Sequence, residues 1–108
     1  MKLHEKKCLC GKDVEALTDL EIEELAAELP HWTLESRKLK RVFKLADFRG
    51  ALSLANQIGA IAEEEGHHPD LHVRWGELAV EIWTHSIGSL SEADFILAAK
   101  IELLHSQD

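Results

Sequence analysis

Three of the seven histidines in this 108-residue chain fall within residues 65–72, EGHHPDLH, and His85 follows downstream. With a reference pKa of about 6.5, a histidine can accept or donate a proton at neutral pH. The cluster therefore suits general acid–base catalysis. Histidine is also a common metal ligand, and polar residues often lie at loop ends. The spacing alone leaves all three interpretations open.

A metal site is the weaker chemical interpretation. Candidate ligands are Glu63, His67, His68, His72 and His85. Adjacent histidines diverge in an extended chain, and Pro69 prevents a helical pairing of His68 with His72. The spacing matches no H-E-x-x-H pattern, so we expect no metal.

Nucleophilic catalysis is also disfavoured. Cys8 and Cys10, a C-x-C pair, are the only cysteines and lie far from the histidines in sequence. They are too few for a four-ligand zinc knuckle. The chain has no G-x-S-x-G motif.

Several elements must position these residues. Thr18 and Glu21 form a predicted capping box, and Asp47 and Gly66 are predicted to bound a long second helix. The final helix is expected to open at Ser91. The resulting order is α-β-β-α-β-β-α. It predicts an α+β two-layer sandwich with a four-stranded antiparallel sheet and helices packed on one face.

Finer features follow from the apolar spacing. Phe48 and Leu52 are predicted to face the core on the second helix. The phase of the second strand slips near Val42 and Phe43, which predicts a bulge there. The ends of the second helix and of the last strand can lie side by side, so His67, His68 and His85 could share a cleft.

Composition limits the partners. The formal net charge of -8 disfavours direct binding of nucleic acid. The basic residues between 37 and 44 alternate with apolar ones, which favours a strand with a solvated basic face over a polyanion site. No signal peptide or membrane span is recognisable, so a cytoplasmic protein is expected. Residues 1–16 are predicted to be a flexible tail and residues 17–108 a single domain.

A spaced motif adds a resemblance. Glu63-x3-His67-His68-Pro69 is followed after five residues by Trp75, after nine more by His85 and after eight more by Asp94. This pattern resembles the signature of the pterin-4a-carbinolamine dehydratase family. The stretches HHPDLHVRW, VEIWTHSIG and LSEADFILAAKIE are also similar to its bacterial members. The resemblance covers roughly residues 17–105.

The resemblance implies a hydro-lyase that converts 4a-hydroxytetrahydrobiopterin to the quinonoid dihydropterin. This reaction recycles the cofactor of aromatic amino acid hydroxylases. It also implies His67, His68 and His85 as the catalytic residues, homodimers or homotetramers, and no metal or other cofactor.

Roles for the remaining residues follow as hypotheses. Those expected to contact substrate are Glu63, Gly66, Trp32, Trp83, Thr84 and Ser86. Pro69 is expected to fix the exit of the histidine loop. Asp94 is interpreted as a structural carboxylate in the first turn of the last helix.

Two alternatives share the fold. Some relatives act as transcriptional coactivators, and others are similar to assembly chaperones, so a binding module without turnover remains open. Such a module would have no need for all three histidines. A pterin enzyme of another specificity would have the same residues.

Overall fold

The computed structural model describes residues 3–6 and 15–106, and Cys8 and Cys10 lie outside these ranges. The helices are α1 (Asp19–Ala26), α2 (Phe48–Glu65) and α3 (Glu92–Ser106), and the strands are β1 (Thr33–Glu35), β2 (Lys38–Lys44), β3 (Asp70–Arg74) and β4 (Glu77–Ile82). The strands form one antiparallel sheet in the order β1-β2-β4-β3. The predicted element order and α+β class are confirmed. None of the helices in the described ranges is long and apolar enough to cross a membrane.

The core lies between the helices and one face of the sheet. β4 alternates regularly, and Leu78, Val80 and Ile82 are fully buried on the inner face. Phe95 and Ile101 of α3 pack into the same cluster. This alternation is what an antiparallel sheet covered on one side requires.

The opposite face of the sheet carries charged side chains in cross-strand pairs. The pairs are Lys38 with Glu81, Lys40 with Glu35, and Lys44 with Glu77. The three lysines of β2 therefore lie on the outer face and are paired with carboxylates of neighbouring strands.

The bulge predicted in β2 is wrong. Ser36 and Arg37, both with positive φ, form the two-residue turn that precedes β2. β2 then pairs with β4 without interruption from Leu39 to Lys44. The phase slips in the sequence because Arg41 occupies an inward position, where its Nε lies 2.8 Å from Glu102 Oε1. An ion pair replaces an apolar side chain there, and Val42 faces out.

α2 begins and ends at the predicted residues. The Asp47 carboxylate accepts a 2.7 Å hydrogen bond from the Gly50 N–H, and Gly66 ends the helix in the left-handed conformation. Its buried stripe differs from the prediction, because Leu54 is buried whereas Phe48 and Leu52 are 47% and 45% exposed.

Part of the segment predicted as a tail contacts the domain. Leu3–Glu5 forms one short 3-10 helix, and Leu3 is buried in the core cluster. Lys100 Nζ of α3 donates a 2.8 Å hydrogen bond to the His4 carbonyl oxygen. The boundary at residue 17 stays a prediction.

Candidate active site

The histidine loop follows directly from the way α2 ends. Gly66 adopts φ 68°, and the N–H groups of Gly66 and His67 both donate to the Ala62 carbonyl. This reversal turns the chain away from the helix axis at His67. Pro69 then leads the chain into β3, which begins at Asp70. A helix terminus thus holds the loop rigidly.

His85 lies at the start of a tight turn after β4. The Thr84 N–H donates to the Ser89 carbonyl at 2.9 Å, and His85–Ile87 forms a 3-10 turn that ends at Gly88. Because Asp70 pairs with Glu81, the start of β3 and the end of β4 share one end of the sheet. The histidine loop and the His85 turn therefore lie at the same end, as predicted.

A buried network connects these two segments. His67 Nε2 lies 2.5 Å from Asp94 Oδ1, and both side chains are almost completely inaccessible to solvent. The Thr84 hydroxyl donates to Asp94 Oδ2 at 2.8 Å, and the Ser91 N–H donates to the same oxygen at 2.8 Å. The Ser91 hydroxyl lies 2.7 Å from the Thr84 hydroxyl. One carboxylate thus joins the histidine loop, the end of β4 and the start of α3.

Asp94 has more contacts than the sequence prediction assigned to it. It does accept the Ser91 N–H, as a carboxylate in the first turn of a helix is expected to do. It also contacts His67, which the capping pattern does not reveal. The hydroxyl and the N–H of Thr84 are both occupied within the fold. Any substrate contact from Thr84 therefore has to come from its backbone carbonyl oxygen, which accepts the Ile87 N–H and can accept a second hydrogen bond.

His68 has a different environment. Its Nε2 hydrogen-bonds to a carboxylate oxygen of Glu63, and the two side chains are 60% and 77% exposed. The expected proximity of Glu63 to a histidine is present in this pair. The contact with Glu63 orients the His68 ring, and the exposed ring is open to proton exchange with solvent.

His85 is exposed and packs against an aromatic ring. Its imidazole meets the Trp83 indole edge to face, with 4.1 Å between ring centroids. Lys38 Nζ lies 4.1 Å from the centroid of the Trp83 ring. Trp83 therefore contacts both His85 and the Lys38 ammonium, and the sequence prediction did not include Lys38. Ser86 is exposed on the same turn.

Trp32 lies among different neighbours. Its indole N–H donates to Glu102 Oε1 at 2.8 Å, and its ring meets Phe43 edge to face. An apolar groove of about 550 Å³ lies beside Glu102, lined also by Leu29 and Leu103. The contacts of Trp32 join it to β2 and α3, and none of the described contacts joins it to the histidines.

The described residues include no group of three histidine, cysteine, aspartate or glutamate side chains placed to hold a metal ion. Three of the candidate histidine ligands have carboxylate partners instead. His67 contacts Asp94, and His68 contacts Glu63. His72 lies 3.5 Å from Glu81. The arrangement suits proton transfer, because an imidazole beside a carboxylate has a defined tautomer and a stabilised charged form.

Comparison with known proteins agrees with the resemblance. Residues 15–104 match the sequence model of the family described as pterin 4 alpha carbinolamine dehydratase. A Rickettsia bellii protein whose name places it among the pterin-4-alpha-carbinolamine dehydratases is 49% identical over 107 residues, covering 96% of this chain and 95% of that protein.

Two further relatives are more distant. Pterin-4-alpha-carbinolamine dehydratase 2, mitochondrial, of Arabidopsis thaliana is 43% identical over 113 residues, covering 98% of this chain and 60% of the plant protein. A crystal structure from Brucella melitensis, named transcriptional coactivator/pterin dehydratase, superposes with a TM-score of 0.79 at 28% identity. The superposition covers 83% of this chain and 98% of the Brucella chain.

Proposed function

The chain belongs to the pterin-4-alpha-carbinolamine dehydratase family, a family of hydro-lyases, and we propose that it dehydrates 4a-hydroxytetrahydrobiopterin by histidine acid–base catalysis. The product is the quinonoid dihydropterin, so the reaction would recycle the cofactor of aromatic amino acid hydroxylases. The proposal rests above all on the two imidazole–carboxylate pairs on one loop, His67–Asp94 and His68–Glu63.

The chemistry requires two proton transfers. The bond between C4a and the hydroxyl oxygen breaks, and that oxygen takes up a proton and leaves as water. N5 of the pterin loses its proton, and the electron pair forms the N5–C4a double bond. An acid at the 4a oxygen and a base at N5 are sufficient, each contributing about 10²–10⁴-fold.

The three histidines divide this work. His67 and His85 act at the 4a oxygen, and the Asp94 carboxylate holds the His67 ring in place through the 2.5 Å contact. His68 holds the pterin ring and accepts the N5 proton. The exposed His68–Glu63 pair returns that proton to solvent.

The substrate rests against the two segments that carry the histidines. We assign to it the backbone of Gly66, the backbone carbonyl of Thr84, the Trp83 indole and Ser86. Trp32 is left outside this site, because its indole is buried against Glu102 and Phe43. Pro69 fixes the exit of the histidine loop. The proposed site binds the substrate without a metal.

The decisive experiment is a stopped-flow assay of 4a-hydroxytetrahydropterin dehydration. His67→Ala and His85→Ala should each lower kcat by about 10²-fold or more, because each removes a group that transfers a proton. His72→Ala is the matched control. His72 belongs to the same sequence cluster but faces solvent on β3, 3.5 Å from Glu81, and its loss should leave kcat unchanged.

Two results would contradict this function. A wild-type rate no faster than buffer would remove the enzyme activity. Equal losses in all three variants would show that the histidines act on folding and not on the reaction.

A non-catalytic binding role is the second candidate, because the Brucella structure carries the name of a transcriptional coactivator as well as of a pterin dehydratase. A wild-type protein that binds pterin without turnover would favour a binding or assembly module. Turnover would favour the enzyme.

The proposed location is the cytoplasm, as predicted from the sequence. The word mitochondrial belongs to the name of the plant relative.

A further inference from the structure

The protons of the buried network can be assigned by counting donors and acceptors. Thr84 has a single hydroxyl proton, and it points to Asp94 Oδ2 at 2.8 Å. The 2.7 Å contact between the two hydroxyls then requires Ser91 to donate to Thr84. The Ser91 N–H also points to Oδ2. As a carboxylate, Asp94 accepts both the Thr84 hydroxyl and the Ser91 N–H.

The same counting fixes the tautomer of His67. An ionised carboxylate can only accept, so the 2.5 Å contact with Oδ1 places a proton on His67 Nε2. In the neutral imidazole Nδ1 then has the lone pair.

We propose that Ser91 and Thr84 are positioning residues, whose hydroxyls orient the Asp94 carboxylate so that His67 keeps its proton on Nε2. Neither hydroxyl touches the reacting atoms. Thr84 and Ser91 are 5% and 3% exposed, so water does not compete for these hydrogen bonds.

The catalytic consequence rests on the proposed function. If His67 protonates the leaving 4a oxygen, the proton transferred comes from Nδ1. The neutral tautomer with its proton on Nε2 remains after the step. A loosened carboxylate would let His67 populate the other tautomer, in which the proton lies on Nδ1 and Nε2 no longer donates to Asp94.

The test is the tautomer itself, read by long-range ¹H–¹⁵N NMR of protein labelled at histidine. In the wild type at a pH where His67 is neutral, the spectrum should show a protonated Nε2 and an unprotonated Nδ1. Thr84→Val should produce a mixture of tautomers, whereas Thr84→Ser, which keeps the hydroxyl, should retain the wild-type pattern.

Kinetics supply the second measurement. Thr84→Val should lower kcat by about 2- to 10-fold, the size expected for one lost hydrogen bond, with KM unchanged. Ser91→Ala should lower it in the same direction. Ser89→Ala is the matched control, because Ser89 is equally buried in the same turn, and its described hydrogen bond is made by its backbone carbonyl.

The possible failures are distinguishable. A wild-type His67 with its proton on Nδ1 would overturn the inference even if the enzyme is active, and so would a Thr84→Ser variant that behaves like Thr84→Val. The expected tautomer in a protein without dehydratase activity would overturn the proposed function and support the positioning network.

Discussion

Each of the three histidines meets a different partner, and the partner determines what its imidazole can do. His67 is buried against Asp94, His68 is exposed against Glu63, and His85 packs on Trp83. A buried carboxylate interacts more strongly with a neighbouring imidazole than an exposed one does, because solvent screens the exposed pair. Three chemically identical side chains therefore have three distinct roles available.

A second carboxylate shows the same dependence on its partners. The pKa of Glu77 is lowered. The largest cause is its hydrogen bond with Lys44, and the next is its hydrogen bond with Arg74. A lowered pKa means that Glu77 favours the folded state above its unfolded pKa, and that this contribution is lost as pH falls through the folded pKa. Lys44→Gln should raise the pKa of Glu77 toward its ordinary value.

NMR titration of the Glu77 carboxyl carbon would measure this change. Lys40→Gln is the control, because Lys40 pairs with Glu35 and should leave the titration of Glu77 unchanged. If Glu77 titrates identically in the wild type and Lys44→Gln, Lys44 is not the cause of the shift.

The sequence predicted the residue types of the site better than their contacts. His67, His68 and His85 were predicted as site residues because the family motif contains them. The His67–Asp94 contact could not be predicted, because the two residues are 27 positions apart and the helix-capping pattern already explained Asp94. A residue with one satisfactory local explanation does not reveal a second, long-range contact.

At the scale of elements, two glycines of α2 differ in what they do. Gly66 has φ 68°, whereas a Cβ at Gly59, inside the helix, would meet nothing within 4 Å. Gly66→Ala should destabilise the protein by about 1–2 kcal/mol, the cost of a left-handed L-residue. Gly59→Ala should stabilise it by about 0.5–1 kcal/mol through helix propensity.

Urea unfolding of the two variants would measure both effects. Both substitutions add the same methyl group. If both changed the free energy of unfolding equally, the left-handed conformation of Gly66 would not be the cause of the expected loss. Because Gly66 directs the histidine loop, we also expect Gly66→Ala to lower the dehydration rate and Gly59→Ala to leave it unchanged.

The ends of the elements could be predicted from sequence, and the faces of two of them could not. Asp47 and Gly66 bound α2 because caps and left-handed glycines act locally. Phe48 and Leu52 were placed in the core because they are apolar, but the space beneath α2 is filled by Leu54 and its neighbours. Arg41 was placed outward because it is charged, although Glu102 pairs with it from α3. Whether such a side chain faces the core or the solvent depends on the residues that pack against it from other elements.

At the scale of the whole molecule, the exposed apolar side chains indicate self-association. Phe48 and Leu52 lie one turn apart on the exposed side of α2, next to each other. Adjacent apolar side chains on a surface mark contact sites more often than scattered ones do. We expect sedimentation velocity to show a homodimer or homotetramer, heavier than the 12.2 kDa chain.

Leu52→Glu should shift this distribution toward the monomer, because it places a charge in the contact. Leu20→Glu is the control, since Leu20 is 64% exposed on α1, a different helix. A wild-type protein that sediments as a monomer at all concentrations would contradict the prediction. A Leu20→Glu variant that dissociates equally would place the contact elsewhere.

The contact between the first described residues and α3 bears on the order in which the chain folds. Lys6 contacts Glu92, 86 positions away, and Lys100 contacts the His4 carbonyl, 96 positions away. Bringing such distant segments together carries a large loop-closure entropy if the intervening chain is still unfolded. We therefore expect the sheet and α2 to form first and shorten that loop, and the contacts of Leu3 to form late in folding.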